Sequence, residues 1–171
     1  MNKIFAIIAF LSISSQAQAI LLLEIERISD TEGIISGSGT FTTALASSNA
    51  HVLSLESIFA TTPGSLTNDY IGSGATLGYG GGNNFESVYT MSDSSIHTDS
   101  IYLFSATPTF GDVLSGFVTV TLTSGYTFDD IGASGTVYNG ITNSTKVAAG
   151  SWIITGEATV PEPSIIVLLA T

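Results

Sequence analysis

No cysteine occurs anywhere in the 171 residues. That excludes thiolate catalysis, zinc sites built on Cys and a disulfide framework. Basic residues are nearly as scarce. Lys3, Arg27 and Lys146 stand against fourteen Asp and Glu, for a formal charge of −11. Three cations cannot build a basic face, so nucleic acid is excluded as a partner and docking on anionic lipid is disfavoured. No apolar run approaches the ~20 residues that a membrane-spanning helix needs. Only 10% of the residues are charged, and 44% are hydrophobic, so the chain has material for a core and is not an acidic disordered tail. Gly contributes 18 residues, and Ser with Thr contribute 46. These are weak helix formers, and the mixture favours strands and turns.

The N-terminus has the order of a secretory signal peptide. Lys3 is the only charge before Glu24, Ile4 to Ile13 is apolar apart from Ser12, and Ala17-Gln18-Ala19 places small residues where a signal peptidase reads. Cleavage is expected after Ala19, leaving Ile20 as the new N-terminus. It removes Lys3 and no acid, which takes the net charge from −11 to −12. An exported domain of this size without disulfides must be held by its core alone.

Near the other end, Val160-Pro161-Glu162-Pro163-Ser164 precedes a purely apolar run, Ile165 to Ala170. Neither proline can donate a ladder hydrogen bond, and each biases its predecessor away from helix. Glu162 is therefore held extended and exposed. Through Val160 to Leu169 the chain resembles the PEP-CTERM family of exported bacterial proteins, whose sorting tag is such a motif followed by a hydrophobic helix and an Arg-rich end. The resemblance implies recognition of Val160, Pro161, Glu162, Pro163 and Ser164 by an exosortase, an integral-membrane cysteine protease-like transpeptidase. It also implies a Gram-negative bacterium that makes exopolysaccharide, itself a further candidate partner. Seven residues follow Ser164, about 10 Å of helix against a hydrocarbon core of about 30 Å. The chain therefore reads as truncated or the tag as degenerate, and membrane association is expected only if a longer helix follows.

Between the ends, period 2 dominates. Leu23 and Ile25 are expected to face inward while Glu24 and Glu26 face water. Leu53, Leu55 and Phe59 alternate with Ser54 and Glu56, and Val118, Val120 and Leu122 alternate with threonines. Trp152, Ile154 and Ala158 alternate with Ile153, Thr155 and Glu157. Ile101-Tyr102-Leu103-Phe104 lacks alternation and suits either a strand covered on both faces or a short buried helical turn. Asn139-Gly140 within Val137 to Thr142 is a hairpin signal of the type I′ kind. The glycine tract from Gly72 to Gly82 lacks both the spacing of a dinucleotide fingerprint and the lysine of a phosphate loop, and reads as a flexible surface loop. The expectation is an all-β chain, an antiparallel β-sandwich of jelly-roll kind with Gly-rich turns over residues 20–159, flanked by a signal peptide (1–19) and the tag (160–171).

Chemistry is sparse. No Gly-x-Ser-x-Gly elbow accompanies His51 or His97. Met91 to Asp99 gathers Asp93, His97 and Asp99, and the two aspartates are the candidate calcium ligands, but the twelve-residue loop with its closing Glu is absent. The segment reads as a solvated loop, as does Asp129-Asp130. Glu24, Glu26 and Glu56 read as an exposed polar face rather than a glycosidase pair. A sugar-stacking platform would be drawn from Tyr79, Tyr89, Tyr102, Tyr126, Tyr138 and Trp152, with Trp152 expected in the core. No catalytic residue, metal or cofactor is assigned. The reading is a non-enzymatic exported surface or extracellular-matrix protein that meets a signal peptidase and an exosortase-like enzyme on its route through the inner membrane. The alternative is a carbohydrate- or calcium-dependent binding module carrying the same tag.

Overall fold

Where apolar and polar residues alternate over five or more positions, only a strand segregates them onto opposite faces. A computed structural model describes residues 20–41, 52–63, 67–73, 76–80, 83–85, 87–93, 97–104, 111–140 and 146–156. Among these the chain is all-β, with no helix. The first strands are β1 (Leu21–Arg27), β2 (Glu32–Gly37), β3 (Val52–Glu56), β4 (Phe59–Thr61) and β5 (Thr67–Tyr70). Next come β6 (Gly72–Ser73), β7 (Gly78–Tyr79), β8 (Asn83–Asn84), β9 (Ser87–Asp93) and β10 (His97–Phe104). The last are β11 (Leu114–Ser115), β12 (Phe117–Thr121), β13 (Thr127–Phe128), β14 (Ser134–Asn139) and β15 (Val147–Thr155).

Ten of them form one curled sheet in the order β5-β9-β10-β3-β14-β15-β1-β2-β12-β6. The two outermost strands of that order are consecutive in the chain, with Ile71 between them. Ile71 donates its N–H to the Val88 carbonyl (2.9 Å) and accepts the Thr121 N–H on its own carbonyl (3.0 Å). One stretch, residues 67–73, thus serves both ends of the order, so the two ends of the curled sheet meet at Ile71. Gly72 makes the corner possible. A Cβ there would lie 2.8 Å from the Val88 Cβ and 3.3 Å from a Val118 methyl, so any side chain would force β9 and β12 apart.

Two short sheets cover the rest, β11-β7-β8 and β13-β4. The glycine tract therefore departs from the expected surface loop. Gly78-Tyr79 pairs with Asn83-Asn84 as a hairpin, and Leu77, Tyr79 and Phe85 around it are buried in the core. Apolar residues interleaved with the glycines gain more by burial than the loop gains from flexibility.

The inner face has the anticipated residues. Leu23, Ile25, Val118, Val120, Trp152 and Ile154 are all fully buried. Pairing is antiparallel except between β1 and β15, which run parallel, so the sheet is mixed. A bulge between Leu21 and Leu23 in that pairing leaves Leu22 as an extra residue, and it is fully buried too. The Ile101 stretch resolves as strand, and Ser100 to Leu103 are buried on both faces. Val52 to Leu55 of β3 are likewise buried throughout. Ser54 was expected to face water, yet it is 1% exposed and its hydroxyl donates to the Gly140 carbonyl. The hairpin expected at Asn139-Gly140 is not formed as a two-residue turn, since β14 ends at Asn139 and pairs with β15, which begins at Val147. Asn139 stays in the strand, opposite both Val147 and Leu53, because bonding on two sides outweighs a local turn preference.

Candidate ligand-binding face

The strand row through Ser54 carries the least ordinary side chains of the molecule. Tyr70 lies opposite Tyr89, Tyr89 opposite Tyr102, Tyr102 opposite Ser54, and Ser54 opposite Tyr138. Residues opposite one another share a face, so four tyrosines from β5, β9, β10 and β14 occupy one cross-strand row. Their chain neighbours Val88, Ile101, Leu103, Leu53, Leu55 and Val137 belong to the core cluster, whereas Tyr102 does not, although it is only 1% exposed. The row therefore lies on the face turned away from the core.

Four rings join at one end of this row. Tyr70 meets Tyr89 edge-on at 5.6 Å and 72°, Tyr89 meets Phe104 at 5.5 Å and 90°, and Phe104 meets Tyr102 at 6.3 Å. Edge-to-face contacts of this kind contribute about 0.5–1.5 kcal/mol each beyond burial. Burial falls outward along the series, from Tyr102 through half-buried Phe104 and Tyr89 to Tyr70, which is 58% exposed. At the row's other end Lys146 Nζ stands 4.6 Å over the Tyr138 ring and pairs with Glu56 Oε1 at 2.5 Å. Both partners are more than four-fifths withdrawn from water, so removing either one would strand a charge at a cost of about 3–5 kcal/mol.

Arg27 is engaged as well. It pairs with Asp30 and Asp130 and donates from Nη1 to the Asp129 carbonyl at 2.9 Å. Arg27 thus reaches the acidic turn at Asp129-Asp130, whose Asp130 side chain still stands almost wholly in solvent, as expected. Arg27 and Lys146 are the only basic side chains after Ala19, and both are committed to carboxylates.

The residues singled out from sequence fare differently. The sorting motif, Val160 to Ser164, and the peptidase positions Ala17 and Ala19 lie outside the described residues, as does His51. Asp93 ends β9 opposite His97, and Asp99 falls where the register of β10 shifts. The segment expected to be a loop is therefore mostly two paired strands, with only residues 94–96 between them. The side chains of Asp93 and Asp99 lie outside what is described. Among the described residues, no group of three or more His, Cys, Asp or Glu is placed to hold a metal. Glu24 accepts from the Thr155 hydroxyl at 2.9 Å and sits on β1, three strands from Glu56 in the sheet order. At about 4.8 Å per strand that is roughly 14 Å, beyond either carboxylate separation used in glycoside hydrolysis.

Of the aromatic residues considered for a platform, Tyr79, Tyr126 and Trp152 are in the core, while Tyr89 and Tyr138 are half-buried on the outer face. The most exposed tyrosine, Tyr70, was missed. It belongs to a four-residue strand whose neighbours are Asp69 and Ile71, too short to display a period. Its only sequence signal was a tyrosine among polar residues.

Comparison of the chain with protein-family models, with curated proteins and with solved structures returned no match.

Proposed function

We propose that this is a non-enzymatic exported surface or extracellular-matrix protein of a Gram-negative bacterium, sorted by an exosortase through Val160-Pro161-Glu162-Pro163-Ser164. The observation that carries the reading is the order of the parts: an apolar segment closed by Ala17-Gln18-Ala19, a β-domain, then the Pro-Glu-Pro motif with an apolar run behind it. The positions of the first and last strands support it. β1 starts at Leu21, and β15 ends at Thr155, with five residues between it and Pro161. Five residues reach at most about 18 Å, enough to present the motif to a membrane enzyme without unravelling β15.

Timing is consistent with cleavage after Ala19. The Ile20 carbonyl accepts the Ser151 N–H at 2.9 Å, and Ser151 lies on the last strand. Export proceeds from the N-terminus, so a peptidase meets Ile20 before that bond can form.

Expressing the chain with and without an exosortase tests the reading. Exported material should begin at Ile20. A form extended by about a dozen apolar residues and terminal arginines should be membrane-held and then processed near Glu162. The form ending at Thr171 should be released, because its apolar run is too short to span the hydrocarbon layer. Material beginning at Met1, or processing unchanged by Pro161→Ala with Glu162→Ala, would defeat the proposal.

A further inference from the structure

We propose that Asn139-Gly140 is a deamidation site, open in the unfolded chain and shut by the folded sheet, so that chain which stays unfolded is marked and barred from folding. It stands independently of the sorting reading, because the pair and the strands that hold it belong to the β-domain.

The pair is the only Asn-Gly in the sequence. Asparagine amides are among the thermolabile side chains, and a following glycine has no Cβ to crowd attack by its own nitrogen. In the reaction the Gly140 nitrogen gives up its proton to solvent hydroxide and attacks the Asn139 Cγ. The N–Cγ bond forms, the Cγ–Nδ2 bond breaks, and the amide nitrogen leaves as ammonia. Water then opens the cyclic imide at either carbonyl, giving aspartate or isoaspartate at 139. Amide plus water thus becomes acid plus ammonia, with no oxidant, metal or enzyme required.

Three observations hold the folded pair shut. The nucleophile is occupied, since the Gly140 N–H donates to the Val52 carbonyl at 2.9 Å. The backbone is fixed, since Asn139 pairs with Leu53 on one side and Val147 on the other, and ring closure would have to rotate it out of both ladders. Solvent is excluded, since Asn139 is 3% exposed and Gly140 is buried too. The amide shares its face with Leu53 and Val137 of the core. Its Nδ2 has no hydrogen-bond partner among the described residues, a cost that an apolar side chain would not carry.

Once formed, the acid no longer fits the fold. A carboxylate at 139 would enter the core, where an unpaired charge is costly, and Arg27 and Lys146 are engaged with other carboxylates. Isoaspartate also lengthens the main chain of β14 by one carbon, between two strands whose pairing depends on its register.

Ageing the full chain in mildly alkaline buffer, with and without enough guanidinium chloride to unfold it, tests this. Peptide mapping by mass spectrometry reads conversion at 139. Conversion should be at least about tenfold slower in the native chain, because a position bonded on both sides is exposed only by large openings. The aged unfolded sample is then diluted to refold and challenged with protease. Molecules that keep Asn139 should survive and those converted at 139 should be digested, an internal comparison that discounts other damage in denaturant. Asn139→Asp, made directly, should melt at least about 5 °C below the parent chain. A smaller difference between native and unfolded rates, protease-resistant molecules carrying the acid at 139, or a smaller shift for Asn139→Asp would each overturn the proposal.

Discussion

Val120→Asp should badly destabilise the domain, while Thr121→Asp, one residue along, should leave it nearly unchanged. Val120 is fully buried on β12, facing Gly33 of β2 on one side and Gly72 of β6 on the other. It belongs to the core cluster, on the strand that joins β2 to β6. A carboxylate there would lose the valine's burial and find no cation, since Arg27 and Lys146 are engaged elsewhere. The combined cost is about 5 kcal/mol or more, a large fraction of the 5–15 kcal/mol that typically separates folded from unfolded chains. In a domain of this size that lowers the melting temperature by about 15–20 °C. Thr121 is exposed, and its backbone N–H donates to the Ile71 carbonyl. Its substitution should change stability by no more than about 0.5 kcal/mol. Melts followed by circular dichroism would check the pair. Equal damage from both would mean that the outer side of β12 is covered as well.

The second large effect is expected at Trp152. Its ring lies over Gly135, where a Cβ would come within 2.5 Å of the indole, and its Nε1 donates to the Glu56 carbonyl at 3.1 Å. The residue thus ties β15 to β14 by packing and to β3 by a hydrogen bond across it. Trp152→Ala should cost about 3–5 kcal/mol, from lost burial and the cavity left behind. Trp152→Phe retains most of the apolar contact but leaves the carbonyl without its donor, for about 1–2 kcal/mol. Gly135→Ala alone should cost about 1–3 kcal/mol by overpacking, and much less in a Trp152→Ala background, where the added methyl enters the cavity. Urea unfolding of the four proteins in that cycle would reveal the coupling. Additive losses would show that the ring and the glycine are not in contact.

Both experiments probe a sheet whose last strand sits beside its first. β15 lies between β14 and β1, so the central part of the sheet is incomplete until residues 147–155 have emerged. Contacts this distant in sequence close slowly.

The sequence by itself determined the class of the fold and most of its inner face. Leu23, Ile25, Val118, Val120, Trp152 and Ile154 announce their burial through alternation, a property of each strand alone. It also excluded, through missing cysteine, disulfides and thiolate chemistry. Pairing belongs to no single strand, and only the tertiary structure decided it. No local pattern states that β1 runs parallel to β15, or that residues 67–73 serve both ends of the sheet. Strands of two residues such as β6, β7 and β8 are too short to show any period, so the glycine tract read as a loop although it buries Tyr79 and Phe85 around its hairpin. Asn139-Gly140 read as a turn because turn preference is local, whereas hydrogen bonding to β3 and β15 together is not. The outer aromatic row was hidden for the same reason. Tyr70, Tyr89, Tyr102 and Tyr138 are spread over 69 positions of sequence, and only the cross-strand register brings them onto one face.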